Sequence, residues 1–291
     1  MSSLLNTHED LPVVLLTRDV HAERRWIRDL ERALVVKGAE VVILPLSTFT
    51  RVGKWRCLVN RCSDAASPFE IKRVVAALRS AEMCGVPTVN GLSCFAVGTS
   101  KLLHHELFDL VGVESPRWLQ VSSGARPSDV IKTVDDAGLQ YPLLLKPNSG
   151  GFGAGIVSIT CATDLTEDIL EVALETDGFA VLQEFETSRG GYIYRVFFLD
   201  SKVQCAVRVR ATDLDGFNAC VCSTAYEYWE CPSDVADSVS RMAKAAGADC
   251  GSVELMYTSG SRPLYFDFNL LSTMPNERCY EDLADFILKG L

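Results

Sequence analysis

The stretch YPLLLKPNSGGFGAGIVSI, residues 141–159, decides the fold of this chain. Its apolar run, residues 143–145, is typical of a β-strand; Lys146 follows the run and Pro147 ends it. Four glycines occupy positions in the next eight residues, at Gly150, Gly151, Gly153 and Gly155. Glycine lets backbone N–H groups approach an anion closely, because it has no Cβ and adopts positive φ freely. The segment therefore has the composition of a phosphate-binding loop.

The residues after the loop show which kind of loop it is. Ile156, Val157 and Ile159 form a β-branched run, which favours a second strand over a helix. The Walker and dinucleotide-binding loops both need a helix N-terminus behind their glycines, so both are excluded. We predict a glycine-rich β-hairpin that folds over a polyphosphate, with Lys146 directed at it. The glycines alone leave open a flexible surface hairpin.

Length, charge and hydropathy narrow the class of protein. The 291 residues, 48% of them apolar, suffice for two or three units, each with its own core. A net charge of −10 without a Lys/Arg block argues against a nucleic-acid partner. No apolar run approaches the roughly 20 residues of a membrane-spanning helix, and the N-terminus lacks a signal-peptide pattern. We expect a cytoplasmic protein without a membrane partner.

The cysteines and histidines form no metal-binding pattern. The eleven cysteines contain no CxxC pair, and their odd number favours reduced thiols, most of them buried. The four histidines lack a metal-ligand spacing. A nucleophilic Cys–His pair brought together in space is the alternative.

The apolar patterns divide the chain into three predicted domains. Strands at 11–16, 41–44 and 57–60 alternate with helices at 19–37 and 69–83, which predicts an open parallel α/β domain over residues 1–95. Such domains bind ligands at the carboxyl ends of their strands, where Asn60, Arg61 and Ser63 are candidate substrate contacts. Residues 96–184 form a central lobe with the glycine-rich loop, and residues 185–291 form a C-terminal lobe.

Two arginines lie on a predicted hairpin of the C-terminal lobe. Its strands, 193–199 and 202–210, flank the two-residue turn Asp200–Ser201. In a regular hairpin Arg195 faces Ala206 and lies diagonal to Arg208, on the same side of the sheet, about 7–8 Å away. Two such guanidinium groups could hold one phosphate. Pairing of each arginine with an acidic side chain is the alternative.

A set of oxygen ligands follows further along the chain. Strands at 250–257 and 263–268 bring Glu254 beside Asp267 and Asn269, and alternation places Tyr265 on the same face as Asp267. Two carboxylates and an amide suit Mg²⁺, which prefers one or two carboxylates together with nucleotide phosphates. A polar strand face without a metal explains the pattern equally well.

Taken in order, these features resemble the ATP-grasp superfamily. The matching positions are Ser100-Lys101 at a helix start, Lys146, the loop 149–155, the strand exit VLQEF at 181–185, Arg195 and Arg208, Glu254, and Asp267-x-Asn269. The resemblance implies an ATP-grasp fold, mixed α/β and α+β, with ATP and magnesium between two lobes. It also implies the roles of individual residues: Lys101 and Lys146 on the phosphates; Ser149, Gly150, Gly151 and Gly153 in a lid; Gln183, Glu184 and Phe185 at the adenine; Glu254, Asp267 and Asn269 on magnesium; Arg195 and Arg208 in catalysis.

Within the superfamily the chain most resembles the ribosomal-protein glutamate ligases and related carboxylate–amine ligases. Such enzymes phosphorylate a carboxylate with ATP, and an amine then displaces phosphate, so the implied partners are a small-molecule carboxylate and an amine. A homo-oligomer is left open. The chain departs from the family pattern in three places: residues 192–194 lack an acidic residue, Glu254 and Asp267 exchange the usual Asp and Glu, and residues 270–275 lack a glycine-containing turn. These departures concern the acceptor substrate more than the fold.

Two other functions are weighed against the ligase. Inositol polyphosphate kinases of the same superfamily also have a QEF exit followed by paired glycines and an aromatic hairpin, much as residues 183–198 do here. A highly phosphorylated substrate needs a strongly basic pocket, however, and this acidic chain has few basic clusters. The third function is that of a nucleotide-binding module without turnover.

Overall fold

Three β-sheets organise the part of the chain that the computed structural model describes, residues 10–62, 67–151, 153–210, 226–260, 262–271 and 273–289. The first sheet is parallel, with strand order β2-β1-β3-β4, and comprises β1 (Val13–Thr17), β2 (Val41–Pro45), β3 (Cys57–Asn60) and β4 (Thr88–Val89). The predicted parallel α/β unit is therefore present. Strand β1 is buried along its whole length, as expected for a strand covered on both faces.

Helices cover both faces of this first sheet. Helix α1 (Arg25–Val36) packs on one face and α2 (Pro68–Met83) on the other. Helix α2 begins with a capping box, in which Ser67 and Glu70 bond to each other's backbone N–H groups. Helix α1 begins later than predicted, because Asp19–His21 forms a separate 3₁₀ turn.

The second sheet is antiparallel and carries the glycine-rich hairpin. Its order is β5-β8-β6-β7, with β5 (Trp118–Ser122), β6 (Leu143–Pro147), β7 (Val157–Ile159) and β8 (Phe179–Glu184). Helices α5 (Pro127–Ala137) and α6 (Glu167–Leu174) cover one face of it, around Leu143, Leu145 and Leu182. By register, Lys146 and Gln183 lie on the opposite face.

The third sheet is also antiparallel, with order β11-β10-β9-β12-β13. Its strands are β9 (Tyr192–Leu199), β10 (Lys202–Arg210), β11 (Glu227–Tyr228), β12 (Cys250–Tyr257) and β13 (Pro263–Asn269). Helix α7 (Ser233–Ala246) packs on it, together with α3 (Leu92–Gly98) and α4 (Lys101–Val111). Helix α4 also contacts β8, so it lies where the second and third sheets meet.

The last helix returns to the start of the chain. Helix α8 (Glu277–Lys289) packs against α1, and Tyr280 and Leu283 share a core with residues of the first sheet. The last helix of the predicted third domain therefore packs against the predicted first domain. The boundaries 1–95, 96–184 and 185–291 stay a prediction.

A β-bulge changes the predicted register of the arginine hairpin. Asp200 and Ser201 have φ of 48° and 57°, as a two-residue hairpin turn requires. The register then shifts between Val203 and Cys205, so Arg195 lies opposite Val207. The predicted pairing with Ala206 is wrong, because alternation from the turn does not anticipate the extra residue.

A second bulge changes one face of the candidate metal strand. Glu254 pairs with Asp267, but the next residue, Leu255, pairs with Tyr265, so Phe266 is the additional residue. Asp267 and Tyr265 therefore point to opposite faces, and their predicted common face is wrong. Tyr265 is 1% exposed and packs in the core, which leaves Asp267 on the face of Glu254.

Candidate functional site

The glycine-rich segment is a hairpin with a turn-rich tip. Strands β6 and β7 pair antiparallel, and a strand follows the loop where a helix would follow a Walker loop. Gly150, Gly153 and Gly155 have φ of 125°, 71° and 73°. A Cβ on Gly155 would lie 2.8 Å from Pro147 Cγ, so this glycine is required by both space and conformation. Phe152 lies outside the described residues.

Asn148 ties the base of the hairpin to the start of α4. Its Oδ1 accepts hydrogen bonds from Ser100 Oγ at 2.8 Å and from the backbone N–H of Leu102 at 3.0 Å. Its Nδ2 donates to Asp177 Oδ2 at 2.8 Å, and Ser149 Oγ donates to the same oxygen at 2.5 Å. Asn148 and Asp177 were not predicted from the sequence. The position of Asn148 directly before the glycines was the available signal.

The hydrogen bonds between the hairpin base and α4 bring Lys101 and Lys146 near the carboxylate of Asp267. The backbone N–H of Lys101 donates to Asn148 O at 3.0 Å, and its Nζ donates to Gly150 O at 2.5 Å. Lys146 is 9% exposed, and burial lowers the pKa of its ammonium to about 8, with Asp267 acting in the opposite direction and Lys101 adding to the decrease. The two lysines, from α4 and β6, thus share one electrostatic environment with a side chain of β13.

The three predicted metal ligands also lie together. Asn269 Nδ2 donates to Glu254 Oε1 and to Asp267 Oδ2, both at 3.3 Å. Glu254 is 5% exposed. Burial opposes ionisation of Asp267, but the contact with His104 and the charges of the lysines hold the pKa of its carboxyl well below the usual range.

Helix α4 adds two histidines that the sequence analysis did not assign to the site. His104 Nδ1 lies 3.0 Å from Asp267 Oδ1, in the third sheet. His105 Nε2 lies 3.3 Å from Gln183 Oε1, in the second sheet, and the ring stacks on Trp118 with 5.0 Å between centroids. Burial and the charge of Lys146 lower the pKa of His105 to about 3, so this imidazole is neutral. Their spacing of three and four residues from Lys101 places all three on one helix face and was a usable signal.

The predicted adenine residues separate onto two sides of β8. Gln183 is 3% exposed and faces His105, on the same face as Lys146. Glu184 points the other way, where its Oε1 accepts from the backbone N–H of Gln140 at 2.8 Å. The backbone N–H of Phe185 donates to Pro142 O at 3.0 Å. Gln183 therefore has its side chain on the face of Lys146, and Glu184 does not.

The two predicted catalytic arginines do not lie together. Arg195 forms an ion pair with Glu254, its neighbour on β12, and so belongs to the metal-ligand cluster. Arg208 lies opposite Tyr194, hence on the other face of the sheet. Its guanidinium bonds to Glu227 and lies 4.6 Å from the centroid of the Tyr192 ring. The predicted proximity of the two arginines is wrong, because the bulge in β10 exchanges the faces; a catalytic role for Arg208 stays a prediction.

The donor set fits a magnesium ion. Glu254 and Asp267, on paired strands, supply hard oxygens beside the two lysines. The amide of Asn269, whose Nδ2 bonds to both carboxylates, would have to turn its Oδ1 toward the ion to complete the set. Among the described residues no group of three or more His, Cys, Asp and Glu side chains forms a metal cluster.

Two antiparallel sheets that face each other across a shared helix, one with a glycine-rich hairpin and the other with paired carboxylates, define the ATP-grasp fold. The chain has this fold. The RimK domain ATP-grasp protein of Sphaerobacter thermophilus superposes on 96% of this chain and 99% of its own, with a TM-score of 0.73 and 18% identity. The ATP-grasp ligase PsnB, whose structure contains a precursor variant, Mg and ADP, superposes on 96% of this chain and 98% of its own, with a TM-score of 0.66 and 18% identity.

Sequence comparison gives a relative of the same class. A probable α-L-glutamate ligase 2 of Shewanella frigidimarina is 28% identical over 193 residues, which are 62% of this chain. The match spans 63% of that relative's length, a little under two thirds. No protein-family model matches the chain. The predicted ATP-grasp fold and the predicted resemblance to carboxylate–amine ligases are confirmed; the relatives named here are not kinases, so they give the kinase alternative no support.

Two further expectations concern location and cysteine chemistry. In the part of the chain that the structure describes, no helix has the length and apolarity needed to cross a bilayer. The nine described cysteines are all free thiols. Cys220 and Cys222 lie outside the described residues, as does Ser63, one of the candidate substrate contacts.

Truncation of Asn148 is expected to destabilise the protein. Asn148→Ala leaves the backbone N–H of Leu102 without its acceptor and Asp177 with one donor fewer, which costs about 1–3 kcal/mol of unfolding free energy. Urea denaturation measures the change. The exposed Gln140→Ala is the matched amide truncation and should change stability by less than about 0.5 kcal/mol. Equal effects of the two substitutions would contradict the role of Asn148.

Proposed function

We propose that the protein is an ATP- and Mg²⁺-dependent ligase that joins a small-molecule carboxylate to an amine through an acyl phosphate. One observation carries the proposal. Lys101 is on α4 and Lys146 is on β6, yet the charges of both lower the pKa of Asp267, which lies on β13 in the third sheet. A cluster of alternating charges at the junction of two lobes is suited to a metal-bound polyphosphate.

The named relatives support the same activity. The PsnB structure contains Mg and ADP, and the Shewanella relative is named as a glutamate ligase. Both names describe ligases, although their substrates differ. We infer from this that the shared chemistry, activation of a carboxylate by ATP, applies to this chain as well.

The residues of the site divide into three roles. Lys101 and Lys146 would hold phosphate oxygens, with the hairpin at Gly150 placed over them. Glu254, Asp267 and Asn269 would hold Mg²⁺, which, when bound, neutralises charge on the transferring phosphoryl group. Arg195 would contact the negative charge that develops on the carboxylate oxygens.

Trapping the activated carboxylate tests the proposal. The purified protein is incubated with ATP, Mg²⁺, hydroxylamine and a panel of amino acids, dicarboxylic acids and polyols, and hydroxamate, phosphate and phosphorylated polyol are all measured. We expect at least one acid to give hydroxamate in an amount equal to the phosphate released. A phosphorylated polyol without hydroxamate would instead establish a kinase, and tight ATP binding without turnover would establish a binding module.

A further inference from the structure

Two thiols contact each other where α8 packs on the third sheet. Cys205 lies on β10 and Cys279 lies in the first turn of α8, and their Sγ atoms are 3.6 Å apart. Cys279 is 7% exposed and Cys205 is partly exposed. A disulfide bond is about 2.05 Å long, so an approach of about 1.5 Å joins the two sulfurs. The pair is therefore close enough to be oxidised to a disulfide.

The two thiols differ in their surroundings. The backbone N–H of Cys279 donates to Asn276 Oδ1 at 3.1 Å, as in a capped helix N-terminus. Negative charge is favoured at such a terminus, so we assign Cys205 as the donor of the sulfur contact and Cys279 as its acceptor. This contact lowers the pKa of the Cys279 thiol, although burial opposes the change, and raises the pKa of Cys205. The thiolate is the form that reacts with oxidants, which makes Cys279 the reactive member.

Burial has the opposite effect on other cysteines of the core. It raises the pKa of Cys57 and of Cys94 to about 12, and that of Cys250 to about 11. A thiol with a raised pKa stays protonated at neutral pH and is a poor nucleophile. We therefore expect peroxide to react with Cys279 before it reacts with these three thiols.

The thiol pair adjoins the candidate site. Cys205 lies opposite Phe197, and Arg195 lies two residues from Phe197 on the same face of β9. Diagonal neighbours of this kind are about 7–8 Å apart. Arg195 in turn forms the ion pair with Glu254. A displacement at Cys205 is therefore near enough to change the position of Arg195.

The start of α8 is bonded to the same face of the sheet. Asn276 Nδ2 donates to Tyr228 Oη at 2.9 Å. Tyr228 lies opposite Val207, which lies opposite Arg195. A movement of α8 toward β10 would therefore act on the row of side chains that contains Arg195.

We propose that a hydroperoxide oxidises Cys205 and Cys279 to a reversible disulfide, which holds α8 against β10 and slows the reaction at the adjoining site. The effect on the reaction rests on the proposed function; the formation of the disulfide does not. A misplacement of about 1 Å in a catalytic site can cost about 10²-fold in rate. A movement of about 1.5 Å beside Arg195 is therefore expected to lower kcat/KM by about tenfold or more.

The oxidation balances in two steps. The Cys279 thiolate attacks one oxygen of the hydroperoxide; an S–O bond forms, the O–O bond breaks, and the departing oxygen takes up a proton and leaves as water or an alcohol. The Cys205 thiol then attacks the sulfenic sulfur of Cys279. An S–S bond forms, the S–O bond breaks, and the oxygen leaves as water with the proton of Cys205. The peroxide is reduced by the two electrons that the thiols lose, and a dithiol reverses the change by exchange.

Peptide mapping tests the disulfide without turnover. The reduced protein is treated with hydrogen peroxide, its remaining thiols are alkylated under denaturing conditions, and peptides are identified by mass before and after dithiothreitol. We expect a peptide pair that joins Cys205 to Cys279 and that dithiothreitol separates. Cys205→Ser should stop at a sulfenic acid on Cys279, which dimedone traps, whereas Cys279→Ser should give no dimedone adduct at Cys205.

Hydroxamate formation by the same samples tests the effect on the reaction. Peroxide should lower the wild-type rate by about tenfold or more, and dithiothreitol should restore it. The double variant Cys205→Ser, Cys279→Ser should keep the wild-type rate and melting temperature when reduced, and peroxide should not slow it. The double variant Cys84→Ser, Cys161→Ser removes two exposed thiols and is the matched control, which should remain sensitive to peroxide.

The outcomes separate the two parts of the account. Absence of the disulfide, or a disulfide from either cysteine to Cys220 or Cys222, would overturn the proposal. A disulfide that leaves the hydroxamate rate unchanged would also overturn it. Absence of hydroxamate from the reduced protein would overturn the ligase function, whereas the disulfide would still be established by its peptides.

Discussion

Asp267→Asn is expected to abolish most hydroxamate formation, lowering kcat/KM for the acid by about 10²–10³-fold, the usual size for loss of one electrostatic group in a catalytic site. His104, Lys101 and Lys146 all lower the pKa of Asp267. Asp267 lies directly opposite Glu254 on the neighbouring strand. An amide at this position removes one of the two carboxylates available to Mg²⁺. It also removes a negative charge that interacts with both lysines.

The control makes the same substitution at the hairpin turn of β9 and β10. Asp200 has a side chain with 63% exposure and a positive φ that asparagine tolerates. Asp200→Asn should therefore keep wild-type activity and stability. Rates for Asp267→Asn within about twofold of wild type would show that this carboxylate makes no contribution to catalysis.

Lys146→Met is expected to raise KM for ATP by about 10–100-fold, since a hydrogen bond to a charged group contributes about 1.5–3 kcal/mol. The side chain keeps its apolar stem and loses its charge at a position that is 9% exposed. Steady-state kinetics with ATP varied at saturating acid measures the change. Lys202→Met, at a side chain with 77% exposure, is the matched control and should leave KM unchanged; an unchanged KM for Lys146→Met as well would remove this lysine from the nucleotide site.

The same lysine predicts a pH dependence of stability. Burial lowers its pKa from the ordinary value of 10.5 to about 8. Between these values the unfolded chain binds more protons at this position than the folded protein does, so the free energy of unfolding rises with pH across the window. Below about pH 8 both states are protonated and the folded protein carries the full penalty of the buried charge. Lys146→Met should therefore be more stable than wild type at pH 7, by a margin that narrows from pH 8 to 10 in urea denaturation.

The local patterns of the chain predicted most of the architecture. The β-branched residues after the glycines indicated a hairpin in place of a phosphate-loop helix, and β6 and β7 form that hairpin. Apolar spacing located β9 and β10 on either side of Asp200 and Ser201, whose positive φ values suit the turn. These features depend on neighbouring residues, and the sequence contains that information directly.

Features that depend on distant contacts were not predictable in the same way. The bulges near Cys205 and at Phe266 add one residue to a strand, and each reversed the face of a side chain that period-two reasoning had assigned. Arg208 and Tyr265 were misplaced for this reason. The additional residues are neither glycine nor proline, so nothing in the local sequence indicated the bulges, and simple alternation assigned the wrong face.

The residues missed in the site have a different cause. His104, His105 and Asn148 each have a partner 29 or more residues away in the chain. The histidines lacked a metal-ligand spacing, and their actual partners are a carboxylate and an amide in two different sheets. Their helical spacing from Lys101 indicated a common face but could not indicate what that face contacts.

A crystal structure with a non-hydrolysable ATP analogue and Mg²⁺ tests the central claim most directly. The account predicts phosphate oxygens within hydrogen-bond distance of both Lys101 Nζ and Lys146 Nζ, with Mg²⁺ bound to oxygens of Glu254, Asp267 and Asn269. A nucleotide bound away from the glycine-rich hairpin, or a metal ion that contacts none of these three side chains, would contradict it.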